Sequence, residues 1–157
     1  MRISTRKAEK ADFERVRELL QQLSVILFER NETVTRPPDE ALLTDSIYDQ
    51  FLTHYESIVA IDESGIVCGF ALLWVRDVND LVFKTSKDLL VHYIVADQAR
   101  PPQGIGSKLM DAALDFGRKA GAATLSVGTI ETLDANCFYR KRFEGGLPKQ
   151  LIYSRLL

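Results

Sequence analysis

The sequence predicts a single mixed α/β domain, and three features of the chain predict it. Its 157 residues, 46% hydrophobic and 27% charged, suit one globular domain with an adequate core. Residues 89–95 form a short apolar run typical of a strand buried on both faces, and a glycine turn and an amphipathic helix follow it. Residues 123–128 predict another strand, which completes a strand-helix-strand unit with parallel strands and a right-handed crossover.

The chain begins with a predicted strand and two predicted helices. Residues 2–8 alternate in polarity, which is typical of a short strand. Asp12 is the expected N-cap of an amphipathic helix. The apolar face of that helix comprises Phe13, Val16, Leu19, Leu20 and Leu23. Two prolines then mark a break before a second helix at residues 40–54.

A hairpin follows. Residues 57–61 and 66–75 predict two strands, and the Asp-Glu-Ser-Gly sequence between them is typical of a turn. The second strand is hydrophobic throughout, so we expect helices to cover it and Trp74 to lie in the core. The polar connection at 76–88 contains an apolar triplet, 81–83, which we expect to cover the active site or to form the seam of a homodimer.

The glycine turn at residues 103–107 predicts a phosphate or pyrophosphate site. A helix start presents unpaired N–H groups and the positive end of the peptide dipoles, and Gly104 and Gly106 leave that backbone accessible. Two other phosphate motifs do not fit. Leu109 stands where a dinucleotide fingerprint needs its third glycine, and the residues around Lys108 have neither the order nor the spacing of a Walker loop.

The chain ends with a loop at 129–132, a short helix at 133–141 and a terminal strand at 149–157. Ligands of open α/β sheets bind outside the carboxyl ends of the strands. The loops at 96–103 and 129–132 are therefore expected to face the same ligand.

The strand, turn and helix resemble the acetyl-CoA-binding segment of the GCN5-related N-acetyltransferase (GNAT) family. That segment is a strand ending in valine, here Val95, followed by Arg/Gln-x-x-Gly-x-Gly/Ala at a helix start, here 101–106. The short helix resembles the family's Asn-x-x-Ala-x-x-x-Tyr motif through Ala135 and Tyr139, with Thr132 in place of the asparagine. The resemblance implies one domain over residues 1–157 with the GNAT fold. This fold is a central mixed, mostly antiparallel, twisted sheet of six to seven strands, flanked by about four helices, with a parallel, splayed strand pair.

The resemblance also implies acetyl-CoA as cosubstrate and no metal. The residues expected to bind it are Ile94, Val95, Ala96, Arg100, Pro102, Gln103, Gly104, Ile105, Gly106, Ser107, Thr132 and Asn136. Arg100 stands one residue before the family's Arg/Gln position, which is Pro101 here. Either Arg100 still reaches the pyrophosphate or that contact is lost. Asn136 lies close in sequence to Thr132 and could replace the missing amide, but on a regular helix its side chain points in a different direction from position 132.

The family's reaction requires stabilisation of an oxyanion and protonation of the departing sulfur. Backbone N–H groups around Ile94 and Val95 are the candidates for the oxyanion. Tyr139 is the candidate general acid, since a phenol with a pKa of about 10 is protonated at neutral pH. The structural alternative for Tyr139 is a packed aromatic side chain.

The attacking amine must also lose a proton. His92 is the candidate base because its reference pKa of about 6.5 suits neutral pH, although a histidine within a buried strand can also be a core residue. A water chain ending at a carboxylate such as Glu29 is the alternative. Strand alternation predicts that His92 and Tyr93 point to opposite faces, so that only one enters the cleft.

The resemblance therefore implies an N-acetyltransferase that transfers acetyl from acetyl-CoA to a primary amine of a small molecule or peptide by direct attack. The alternative is a non-catalytic acyl-CoA-binding or sensing module of the same fold. Acidic residues in the first helix-loop-helix region either recognise a substrate ammonium or form a solvated face.

Composition limits the partners. Nucleic acids and anionic membranes usually require a basic surface, so a net charge of −2 gives no reason to expect either as a binding partner. Cys68 and Cys137 lie in apolar contexts without metal-ligand spacing, so we expect buried hydrophobes. No apolar span or leader is evident, and we expect a soluble, cytoplasmic protein.

Overall fold

The computed structural model describes residues 2–30, 36–39, 43–78, 87–100, 104–127, 138–139 and 141. Its strands and helices, in chain order, are β1 (Ser4–Lys7), α1 (Phe13–Arg30), α2 (Asp45–His54), β2 (Glu56–Ile61), β3 (Val67–Asp77), β4 (Lys87–Ala96), α3 (Ile105–Lys119) and β5 (Thr124–Val127). A single 3-10 turn, Lys10–Asp12, leads into α1.

The five described strands form one sheet in the order β1-β2-β3-β4-β5. The first three pairs are antiparallel, and β4 and β5, which α3 connects, are parallel. This arrangement confirms the predicted fold class, with a slightly smaller count of strands and helices in the described part of the chain. The predicted terminal strand, the apolar triplet 81–83 and most of the short helix lie outside the described residues.

The sheet is buried on both faces, which explains the unbroken hydrophobic runs of its central strands. One face packs against α3. Its core comprises Ile58, Ala60, Cys68, Ala71, Leu73, Leu89 and Val91 with Ile105, Leu109 and Ala113 of the helix. The other face packs against α1 and α2. Its core comprises Val59, Val67, Phe70, Leu72 and Val95 with Val16, Leu19, Leu20 and Tyr48.

Helix α2 begins later than predicted, at Asp45 rather than residue 40. The Thr44 hydroxyl accepts a hydrogen bond from the Ile47 N–H at 3.3 Å and caps the helix. The turn that leads into α1 begins with a capping box. The Asp12 carboxylate accepts the Glu9 N–H at 2.9 Å, and the Glu9 side chain accepts the Asp12 N–H in return. Arg6 also donates to Asp12, at 2.7 and 2.8 Å, and so ties β1 to this helix start.

The parallel pair separates partway along β4. Its pairing with β5 runs from Asp88, opposite Thr124, to Val91, opposite Val127. The remainder of β4 as far as Ala96 pairs only with β3 among the described strands. Separation of this pair leaves one edge of β4 without a described strand partner beside the start of α3.

Three composition-based expectations can be compared with the described residues. Cys68 is buried and free, as expected, whereas Cys137 lies outside them. None of the described helices has the length and apolar character needed to cross a membrane. In the same part of the chain, no group of three or more His, Cys, Asp or Glu side chains is placed to hold a metal ion.

Candidate active site

The start of α3 is set by Gly104. Its φ of 73° lies in the left-handed region, which glycine adopts without the steric penalty of a Cβ. The first bond of the helix runs from the Lys108 N–H to the Gly104 carbonyl at 3.0 Å. The N–H groups of residues 105–107 therefore precede the intrahelical bonds.

This helix start differs from those of the other two described helices, which acidic or hydroxyl side chains cap. No side chain caps α3 in the described part of the chain, and its first turn contains no acidic residue. Among the described residues, a Cβ placed on Gly104 would have no atom within 4 Å, so this part of the chain leaves the space beside it open. The local geometry can accept an anion, because the first N–H groups of the helix have no intrahelical partner and lie at the positive end of its dipole.

Gly69 on β3 allows α3 to start close to the sheet. A Cβ there would lie 2.6 Å from Cγ2 of Ile105, 3.0 Å from Cδ1 of Leu109 and 3.1 Å from the carbonyl oxygen of Val95. No real side chain tolerates the first of these distances. Gly69 thus determines how closely the helix start approaches the end of β4. The sequence offers one signal for this role, a glycine inside an apolar strand, but the signal does not show which helix packs there.

The candidate acid, Tyr139, is adjacent to a residue that contacts the glycine turn. A Cβ at Gly106 would meet the Phe138 ring at 3.6 Å, an ordinary contact distance. The rings of Phe138 and Tyr139 pack edge to face with centroids 5.2 Å apart. Burial raises the pKa of Tyr139 to about 12, so the phenol holds its proton throughout the neutral range.

Arg100, predicted to bind the cofactor, is held by two carboxylates. Its Nη1 donates to Oδ2 of Asp62 at 2.6 Å, and its Nε donates to Oδ2 of Asp97 at 3.2 Å. Asp62 also accepts the N–H groups of Ser64 and Ile66 through Oδ1, each at 2.9 Å. Arg100 thereby ties the β2–β3 turn to the loop before α3. A contact between Arg100 and the pyrophosphate stays a prediction.

Asp97 connects this loop to α1. Its carboxylate accepts hydrogen bonds from Arg15, from Gln22 at 3.1 Å and from the Ala99 N–H at 3.1 Å. Burial by itself would raise the pKa of Asp97, but the hydrogen bonds from Gln22, Ala99 and Arg100 and the charge of Arg15 outweigh burial and lower it. The resulting ionised carboxylate holds helix α1, β4 and the loop together. This network could not be read from local sequence pattern, because Arg15 and Asp97 are 82 residues apart.

The candidate base lies on a β-bulge of β4. Val91 pairs with Leu73 and Tyr93 pairs with Leu72, which leaves His92 as the extra residue on β4. The ring centroids of His92 and Tyr93 are only 6.4 Å apart. The prediction that these side chains point to opposite faces is therefore wrong, since the bulge interrupts the alternation of the strand and brings both rings to one side.

Four aromatic rings surround this bulge, and we call them the aromatic corner: Tyr55, Trp74, His92 and Tyr93. Tyr55 packs against the core on the α1–α2 side of the sheet. The Trp74 and His92 rings are nearly parallel, at 19°, with centroids 6.0 Å apart. Trp74 is 43% exposed, so the prediction that it lies in the core is wrong. Trp74 belongs to neither of the two core clusters of the sheet.

The environment of His92 favours the neutral imidazole. Burial lowers the pKa of His92, and the positive charge of Arg76 acts in the same direction. Its Nε2 is buried and has no hydrogen-bond partner in the part of the chain that the structure describes. A neutral ring tolerates this arrangement better than an imidazolium, which would leave a buried charged N–H unpaired.

The other predicted cofactor residues divide into two groups. Ile94, Val95 and Ala96 lie on β4 beyond its pairing with β5, and they pair with Ala71, Phe70 and Gly69 of β3. Ile105, Gly106 and Ser107 form the first turn of α3. The predicted residues Pro102, Gln103, Thr132 and Asn136 lie outside the described residues.

Comparisons with solved structures agree with this architecture. A mutant of the BH1408 protein from Bacillus halodurans has 18% identity and a TM-score of 0.83, covering 98% of this chain and 99% of that one. AAC(6')-Iy, bound to the bisubstrate analog CoA-S-monomethyl-acetylneamine, has 18% identity and a TM-score of 0.70, covering 100% and 99%. A transcriptional regulator from Bacillus halodurans C-125 has 20% identity and a TM-score of 0.74, covering 99% of each chain. At these identities the likeness concerns the fold alone.

Comparison with curated proteins gave no match. The model of the acetyltransferase (GNAT) family matches residues 15–143, which is most of the chain and includes the bulge, the glycine turn and Tyr139. The chain therefore belongs to the GNAT acetyltransferase family.

Proposed function

We propose that the protein is an N-acetyltransferase that transfers the acetyl group of acetyl-CoA to a primary amine of a small molecule or peptide. The observation that carries this proposal is the uncapped start of α3 behind Gly104. Its first N–H groups have no intrahelical partner, and among the described residues nothing lies within 4 Å of a Cβ on Gly104. Family membership supplies the reaction class.

The residues of the helix start fit a diphosphate. The N–H groups of Ile105, Gly106 and Ser107 donate to its oxygens, and the helix dipole favours the negative charge. Their contribution depends on the backbone rather than on side-chain identity. Arg100 and Asp97 hold the loop that leads into this turn, so they support the diphosphate site by fixing the position of its backbone.

The candidate catalytic groups complete a direct transfer. The amine nitrogen attacks the acetyl carbonyl carbon, and N–H groups around Ile94 and Val95 stabilise the negative charge on the carbonyl oxygen. The imidazole of His92 takes the amine proton, directly or through water. The carbon–sulfur bond breaks, and the Tyr139 hydroxyl gives its proton to the departing sulfur.

Ligand-dependent stability tests the cofactor site. Acetyl-CoA at about 100 times its dissociation constant should raise the free energy of unfolding by roughly 2.7 kcal/mol, and NAD should not. Gly104→Ala and Gly121→Ala form a matched pair at the two ends of α3, since both glycines have positive φ and open space around a Cβ. Each should lose about 1–2 kcal/mol of stability. Only Gly104→Ala should also weaken acetyl-CoA binding.

Thiol release from acetyl-CoA across a panel of amines tests turnover. Release that depends on the amine supports the transferase. Stabilisation by acetyl-CoA without release for any amine would instead favour the non-catalytic acyl-CoA-binding module. Equal weakening of acetyl-CoA binding by both glycine variants would contradict the site at Gly104.

A further inference from the structure

We propose that the acetyl acceptor is a primary amine that carries an aromatic ring, and that this ring binds to the aromatic corner. The inference rests on the proposed function, because it concerns the acceptor half of the same site. It is carried by the arrangement of the four rings, by their exposure and by the charges beside them.

The corner offers a ring both of the geometries that aromatic pairs prefer. The Trp74 and His92 rings are nearly parallel and stack on each other with an offset. Tyr55 meets both rings edge to face, at 83° to His92 and 66° to Trp74, with centroids 5.5 and 6.3 Å away. A ligand ring can extend this stack over the exposed Trp74 ring and meet a neighbouring ring edge to face.

The corner is also accessible. Trp74 is 43% exposed and Tyr93 is 42% exposed, and together they make up half of the large exposed hydrophobic side chains among the described residues. The other two, Val25 on α1 and Ile66 before β3, belong to no described ring cluster. Two exposed rings that flank one strand bulge are better explained by a ligand than by scattered surface hydrophobicity.

The described charges beside the corner include no unpaired carboxylate that would hold a second ammonium group. The described charged group that acts on His92 is the cation Arg76. The guanidinium of Arg76 is 3.0 Å from the Asp88 carboxylate, which also accepts hydrogen bonds from the hydroxyls of Thr124 and Ser126. Because Asp88 is already satisfied, it does not provide a counter-charge for a second ammonium group.

Position along β4 links the corner to the chemistry. His92 and Tyr93 immediately precede Ile94 and Val95, whose N–H groups are the oxyanion candidates. A ring held on the corner places an amine on a short side chain within reach of this strand segment. A longer or purely aliphatic acceptor gains less from the rings.

The experiment compares amines that differ in one property at a time. We would measure kcat/KM for 2-phenylethylamine, for 2-cyclohexylethylamine as a non-aromatic analogue of similar shape, and for spermidine as a polycation. The aromatic amine should exceed the cyclohexyl amine by about 2- to 10-fold, since aromatic pairs contribute beyond their buried area. Spermidine should be the poorest of the three. Equal values for the first two amines, or a preference for spermidine, would overturn the inference.

Trp74 also reports binding directly, because it is the only tryptophan of the chain. Titration with 2-phenylethylamine should change its fluorescence with a midpoint close to the kinetic KM. If no amine is acetylated, the transferase proposal fails, but this titration still decides the aromatic site. A fluorescence that does not respond to 2-phenylethylamine, or that changes only with protein concentration as a dimer forms, would contradict it.

Variants separate the corner from general surface hydrophobicity. Trp74→Leu and Tyr93→Leu keep an apolar side chain and remove one ring each. Both should bring the ratio of kcat/KM for the aromatic over the cyclohexyl amine close to one. Ile66→Ala removes an equally exposed apolar side chain outside the corner and should keep the wild-type ratio. Loss of the ratio in Ile66→Ala, or its retention in both ring variants, would refute the assignment.

Discussion

His92 and Tyr139 are the titratable side chains of the candidate site whose protonation is governed by burial. Burial lowers the pKa of His92, with Arg76 acting in the same direction, and raises that of Tyr139 to about 12. The imidazole is therefore neutral and the phenol protonated near neutral pH. These are the starting states that a proton acceptor and a proton donor need.

The pH dependence of the reaction should report His92. Wild-type kcat/KM should fall on the acid side through a pKa below the ordinary 6.5, because the protonated ring cannot accept a proton. His92→Gln should lower kcat/KM by about 100-fold or more and remove this acid limb. His54→Gln, on the exposed last turn of α2, is the control and should keep the wild-type kcat/KM and its acid limb. An unchanged acid limb in His92→Gln would shift the base to a water chain that ends at a carboxylate.

Tyr139→Phe should separate turnover from binding. If the hydroxyl protonates the departing sulfur, kcat should fall by about 100-fold while the dissociation constant of acetyl-CoA stays nearly constant. Single-turnover thiol release with saturating amine measures the step itself, and calorimetry measures the binding. A variant that releases thiol at the wild-type rate would leave Tyr139 as a packed aromatic residue.

Among the secondary-structure elements, α3 and the loop before it carry the cofactor site. The position of α3 depends on Gly69 beneath its first turn, and the position of the loop depends on Arg100 between two carboxylates. Both supports lie outside the glycine turn itself. Each can be perturbed without touching the N–H groups that are expected to bind the diphosphate.

Gly69→Ala should displace the start of α3. The added Cβ would be 2.6 Å from Cγ2 of Ile105, and overpacking of this kind costs about 1–3 kcal/mol. Weaker acetyl-CoA binding should accompany the loss of stability. The control is Gly117→Ala near the far end of the same helix, where the new Cβ would meet Cδ2 of Leu89 at 2.8 Å, a flexible side-chain end. Urea unfolding and acetyl-CoA titration of both variants provide the measurements, and equal affinities would rule out a role for Gly69 in the site.

Asp62→Asn tests what Arg100 does. The amide keeps an oxygen for the N–H groups of Ser64 and Ile66 and removes only the ion pair with Arg100. If Arg100 serves to hold the loop, acetyl-CoA binding should weaken several-fold and the melting temperature should drop. If Arg100 instead binds the diphosphate, its release should tighten binding. Asp115→Asn removes an exposed ion pair with Arg118 and should change neither quantity.

At the scale of the whole molecule, buried or partly buried carboxylates connect segments that are far apart in the sequence. Hydrogen bonds from Arg6 and from the Glu9 N–H overcome the effect of burial and lower the pKa of Asp12. The hydrogen bond from Arg100 lowers the pKa of Asp62. The pKa of Asp97 is lowered by hydrogen bonds from Gln22 and Ala99 and by the charge of Arg15. Together they join β1 and α1 to the β2–β3 turn and the end of β4.

Stability should consequently decline in two ranges as pH falls. Below about 6.5 the unfolded chain binds a proton at His92 before the folded chain does, so stability decreases, with a slope of at most about 1.4 kcal/mol per pH unit for one group. Below the ordinary aspartate pKa of 3.8, the unfolded chain also binds protons first at Asp12, Asp62 and Asp97, which decreases stability further. Urea unfolding over a pH series measures this. His92→Gln should remove the first decline, and its persistence in that variant would contradict the assignment.

The sequence by itself determined the order of strands and helices, the glycine turn before α3 and the family. These features depend on neighbouring residues: alternation of polarity, a helical apolar stripe and a glycine turn at fixed spacing. The hairpin between β2 and β3 was predictable for the same reason.

The tertiary structure alone decided which side chains meet at the site. The bulge at His92 results from the register between β3 and β4, and it brought His92 and Tyr93 to one face against the alternation of their strand. The pairing of Arg100 with Asp62, 38 residues earlier, depends on how the β2–β3 turn lies beside the loop. Register and loop packing are set by contacts between distant segments, and a local pattern contains no information about them.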